Sequence, residues 1–100
     1  MDEKNEAIVP VVMPNVDPRL ARLNITYNGQ QGELPDPVPY DTADEVIKRM
    51  VTESVRHGGV PGIDAVPTAD FENFVVEKFP AHQDVPYPRI MIRPKAAFGA

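Results

Sequence analysis

The sequence has no cysteine. That absence removes thiolate zinc sites, iron–sulfur ligation, nucleophilic thiols and disulfides together, so redox chemistry does not fix a compartment. Serine is nearly as scarce: Ser54 is the only one, it falls inside a helical pattern, and neither histidine stands at a spacing that suggests a triad. His57 and His82 form no His-x-x-x-His or Glu-x-x-His pair, so a metal site is not expected. No apolar stretch approaches the roughly 18 residues of a membrane-spanning helix, and the start, Met1-Asp2-Glu3, is acidic where a signal peptide would be basic. The expected location is the cytoplasm, with no membrane partner. Positive charge is also short. With 10 basic against 15 acidic side chains and a net charge of -5, a phosphate backbone finds little attraction, which argues against nucleic-acid binding.

Proline is abundant. Twelve prolines in 100 residues are more than double the average frequency of about five per cent, and they leave one window free for a long helix. Residues 1–22 carry Pro10, Pro14 and Pro18 around an apolar run of Ile8, Val9, Val11, Val12 and Met13. Each proline fixes its own φ and pushes its predecessor out of the helical region, so an extended arm is expected. The arm reads either as a solvated leader or as a segment that associates with a partner or a neighbouring copy, because an apolar run is unusual in a purely solvating tail.

From Leu23 the pattern alternates, with Leu23, Ile25 and Tyr27 on one face and Asn24 and Thr26 on the other. Asn28 and Gly29 then give the strongest short hairpin signal. Residues 30–38 are the expected returning strand, with Pro35, Pro37 and Pro39 confining its far end to an edge or loop. Thr42 followed by Glu45 predicts a capping box, and Asp41 and Asp44 add negative charge at a helix start. Ala43, Val46, Ile47, Met50, Val51 and Val55 recur at helical spacing, and Gly58, Gly59 and Pro61 supply the stop. His57 is read as a charge near the helix C-terminus. Phe71, Phe74, Val75, Val76 and Phe79 fit a strand or a short helix by periodicity; the density of β-branched and aromatic residues favours a strand at residues 74–79. A turn-rich loop over 81–88 and a final strand over 89–93 follow.

The order hairpin, helix, loop, strand, strand resembles that of ubiquitin and its bacterial relatives over about residues 23–99. The likeness rests on the Asn28-Gly29 turn, the run Pro39-Tyr40-Asp41-Thr42-Ala43-Asp44-Glu45-Val46 entering the helix, and Gly58-Gly59-Val60-Pro61 leaving it. It rests also on Arg89-Ile90-Met91-Ile92-Arg93 leading to a late glycine. The resemblance implies an α+β, β-grasp fold in three parts: an arm at 1–22, a domain at 23–95 and an extended tail at 96–100. It also implies a protein modifier without enzymatic activity or cofactor of its own. Its partners would be an adenylating activating enzyme, a conjugating enzyme, a processing peptidase and a target protein, in the setting of bacterial antiphage defence.

Where such modifiers generally finish in Gly-Gly, this chain has Phe98-Gly99-Ala100. Processing after Gly99 would remove Ala100 and expose the carboxylate for conjugation. Arg89, Met91, Arg93, Lys95 and Phe98 are the expected partner contacts; for the arginines and Lys95 the plainer reading is an edge strand guarded by charge. Ile8, Val9, Val11, Val12 and Met13 are the candidate self-association arm. The competing functions are a non-covalent adaptor or accessory subunit and a sulfur carrier.

Overall fold

The computed structural model describes residues 19–95. The arm residues Ile8, Val9, Val11, Val12 and Met13, and the tail residues Phe98, Gly99 and Ala100, lie outside the described residues. Strand β1 (Leu20–Tyr27) alternates strictly, burying Ala21, Leu23 and Ile25. It starts ahead of Leu23, where the alternation first becomes clear in the sequence. Asn28 and Gly29 take φ values of 53° and 76°, so both central residues of the turn occupy the left-handed region that a twisted hairpin requires. The chain returns as β2 (Gln30–Glu33), antiparallel to β1.

The expected single returning strand is interrupted. Pro35 and Pro37 lack the N–H a ladder needs, and the chain leaves the sheet before rejoining it as β3 (Val38–Pro39), opposite Leu20 and Ala21 of β1.

Helix α1 (Asp44–Arg56) buries Ile47, Val51 and Val55, with Met50 packed beside them, while Ala43 is exposed. The expected capping box does not form. Ala43 is the N-cap and no side chain caps the helix; the Thr42 hydroxyl instead donates to the Pro39 carbonyl at 2.6 Å. Thr42 thus closes the turn that enters the helix, and Asp44 and Glu45 in the first turn supply the favourable charge. At the other end Gly58 takes a φ of 73° and the Gly59 N–H donates to the Ser54 carbonyl at 2.7 Å, the left-handed stop that glycine makes cheaply.

Strands β4 (Phe74–Phe79) and β5 (Arg89–Pro94) complete a mixed sheet in the order β2-β1-β5-β4. β1 and β5 are parallel neighbours at its centre, and the other pairs are antiparallel. The described chain is therefore an α+β fold of five strands and one helix. No helix among the described residues is long and apolar enough to cross a membrane.

The core lies between α1 and one face of the sheet. Leu23, Ile25, Ile90 and Ile92 meet Ile47, Val51 and Val55, and the connection from α1 to β4 adds Val60, Ile63, Ala69 and Phe71. Phe71 is fully buried, with its ring 4.8 Å from Tyr27 and 4.6 Å from Phe74 between centroids. This connection lies tightly on β2. A side chain at Gly32 would overlap the Pro61 carbonyl and approach Val60, and one at Gly62, whose φ is 93°, would overlap the Gln31 carbonyl. Both glycines are there for close backbone approach.

Candidate interaction surface

The sheet face opposite α1 is covered by no described element, and alternation decides what it carries. Burying Ile90 and Ile92 on β5 turns Arg89, Met91 and Arg93 to the open side. Register then sets their neighbours. Arg89 lies between Arg22 and Phe79, and Met91 between Asn24 and Glu77, with Glu33 beyond Asn24; Arg93 lies beside Val75.

Two ion pairs frame this face. Arg93 grips Glu77 with two hydrogen bonds, Nε to Oε1 at 3.0 Å and Nη2 to Oε2 at 2.9 Å. Arg22 binds Glu33 through Nε and Nη2. The bidentate partner holds the Glu77 carboxyl below the usual carboxylate range and raises Arg93, mainly through the hydrogen bonds. Arg89 meets no carboxylate among the described residues. Its guanidinium lies 5.2 Å from the centre of the Phe79 ring, a cation–π contact, and its Nε is buried without an acceptor.

Met91 stands between the two pairs and lines a depression of about 310 Å³ with Asn24, Thr26, Gln31 and Glu33. A polarisable, unbranched side chain between two neutralised ion pairs suits an adaptable contact with another protein. No nucleophile and base converge here, and among the described residues no group of three or more His, Asp or Glu side chains is placed to hold a metal ion.

Of the expected contact residues, the structure brings Arg89, Met91 and Arg93 onto one face, and Lys95 is exposed just beyond β5. The basic cluster is thinner than the sequence implies, because Glu77 neutralises Arg93. Glu33, Glu77 and Phe79 belong to the same surface and were not among the expected residues; the alternation Val75, Glu77, Phe79 carried that signal. His57 is exposed, with Nδ1 3.7 Å from a Glu53 carboxylate oxygen, and His82 shapes a tight turn by exchanging backbone hydrogen bonds with Val85 at 2.8 and 3.1 Å. Lys48 and Lys78 each donate to a backbone carbonyl, of Glu72 at 2.9 Å and of Thr42 at 2.7 Å. No family model, curated protein or solved structure matches this chain.

Proposed function

We propose that this chain is a β-grasp, ubiquitin-like modifier, conjugated to a target protein through Gly99. The observation that carries the reading is the strand path β2-β1-β5-β4, with first and last strands parallel at its centre and α1 across one face. In that arrangement the last strand, ending at Pro94, leads the chain through Lys95 toward the tail at 96–100.

In this reading a peptidase hydrolyses the Gly99–Ala100 amide with one water, releasing the amine of Ala100 and leaving the Gly99 carboxylate. An activating enzyme lets that carboxylate attack the α-phosphorus of ATP, forming an acyl-adenylate as pyrophosphate departs. A nucleophile on the activating or conjugating enzyme then takes the acyl group and AMP leaves. A target amine finally displaces that nucleophile, losing a proton and forming an amide to Gly99. This chain supplies the electrophile, and the partner enzymes supply the catalysis. The open face around Met91, with Arg89, Lys95 and Phe98, is the docking surface that orients the tail on them.

The test is a blot for higher-mass adducts of an N-terminally tagged chain in its native cells, comparing wild type with a variant lacking Gly99 and Ala100. Adducts that vanish in the truncated variant, and that carry Gly99 joined to a lysine amine, support the modifier. The depression at Met91 favours a second reading, a non-covalent adaptor. That reading gains if adducts are absent while Met91→Asp alone removes function.

A further inference from the structure

We propose that the outer edge of β4 pairs antiparallel with β4 of a second copy, about a two-fold axis at Val76, joining two sheets into one. This surface is separate from the open face and does not depend on the modifier reading.

The direction of the backbone groups follows from one hydrogen bond. The Arg22 N–H donates to the Pro88 carbonyl at 3.1 Å across the parallel β1–β5 pair. Pro88, Ile90 and Ile92 therefore address β1, and Arg89, Met91 and Arg93 address β4. Their register partners Phe79, Glu77 and Val75 bond back to them, which leaves the N–H and C=O of Val76 and Lys78 pointing out of the sheet. β4 ends the strand path, so no described strand pairs with them.

Sheet edges are ordinarily blunted by shortness, proline or charge. The β2 edge is: four residues, polar, containing Gly32 and followed by Pro35 and Pro37. The β4 edge is not. Its six residues contain no proline, Pro80 standing just past its end, and both of its charges are engaged within their own chain. Glu77 is held by Arg93 at 2.9 and 3.0 Å, and the Lys78 ammonium donates to the Thr42 carbonyl at 2.7 Å. What remains is Phe74, Val75, Val76 and Phe79, an unguarded strand.

Self-pairing about a two-fold axis normal to the sheet keeps each face continuous, and two registers set both Val76 and Lys78 opposite residues of the second copy's β4. With the axis at Glu77, two carboxylates would face each other at the closer cross-strand spacing of about 4.5 Å, which is unfavourable. With the axis at Val76, Val76 meets Val76, Val75 meets the second copy's Glu77, and Phe74 meets the second copy's Lys78. Both Val76 N–H groups then find carbonyls, and each Lys78 N–H finds a Phe74 carbonyl. The edge is self-complementary in this register, and that makes a second copy its occupant.

Sedimentation equilibrium of the full chain from micromolar to near-millimolar concentration tests this, with amide exchange followed by NMR over the same range. The expected result is a reversible dimer in which the Val76 and Lys78 amides slow their exchange as concentration rises. Val75→Glu, facing the second copy's Glu77, should weaken association about three- to tenfold, and Val75→Lys should strengthen it by a similar factor. Gln31→Lys, the same charge change on β2, should do neither. A monomer throughout, a dimer whose affinity does not move in opposite directions with the two Val75 variants, or association abolished by the double change Val11→Asp and Val12→Asp would each overturn the proposal.

Discussion

The two faces of the sheet are made from alternate residues of the same strands, and they are held by different physics. On β5, Ile90 and Ile92 are 0% and 1% exposed, sealed by α1 and the connection that carries Phe71. One residue away, Arg89, Met91 and Arg93 are half-buried on the side that no described element covers. The closed face draws its stability from dispersion and from removing apolar area from water. The open face is kept soluble by Arg22–Glu33 and Glu77–Arg93, pairs near 40% exposed that contribute little to folding. The difference teaches where change is tolerated: the first face specifies the fold, and the second is available for recognition.

Substitutions that separate the faces should rank accordingly. Phe71→Ala, which empties the centre of the aromatic cluster, should cost about 3–5 kcal/mol in chemical denaturation. Gly32→Ala should cost about 1–3 kcal/mol by the same measurement, because the added carbon meets backbone that cannot yield easily. Crossing to the open face, Arg22→Ala should cost only about 0.2–1 kcal/mol. Met91→Gln, which adds no charge opposite Glu77, should leave the stability within about 0.5 kcal/mol of wild type while weakening partner binding; an unfolded Met91→Gln protein would mean that the open face also specifies the fold.

The open face also responds to pH, through Glu77. Its folded carboxyl is held below its ordinary range by Arg93, so the stabilisation is present above the unfolded value and is lost as pH falls through the folded one. The difference in stability between wild type and Glu77→Gln should therefore be largest near neutrality and fade in acid. A difference that grows on acidification would mean that the pair does not hold the carboxylate.

Much of the fold was legible where local chemistry is decisive. Asn28 and Gly29 tolerate the left-handed region, so the hairpin is written into two residues. The stripe of Ile47, Val51 and Val55 has one solution, a helix with one buried face, and the density of Val and Phe in residues 74–79 resolves into β4. The returning strand's break after Glu33 follows from Pro35 and Pro37, although its rejoining at Val38 depends on the distant start of β1.

The missed parts depend on tertiary contact. Val60, Ile63 and Ala69 have no period, because each is buried by where an irregular connection lies against β2 and α1, and Phe71, periodic with the residues of β4, belongs to that connection instead. Thr42 has the right spacing for a capping box, but the Pro39 carbonyl is closer at hand. On the open face the sequence marked Arg89, Met91 and Arg93, yet it could not show that Glu77 neutralises Arg93, because that pairing is a matter of register between strands.

The proposed role of Gly99 as the point of attachment is tested most directly by the intact mass of the protein recovered from its native cells, read together with the mass of its C-terminal peptide. The expected result is a chain ending at Gly99, with Ala100 gone, and a matching population joined through Gly99 to another protein. A mass that retains Ala100 throughout, with no Gly99-linked peptide under conditions that induce the protein, would contradict it.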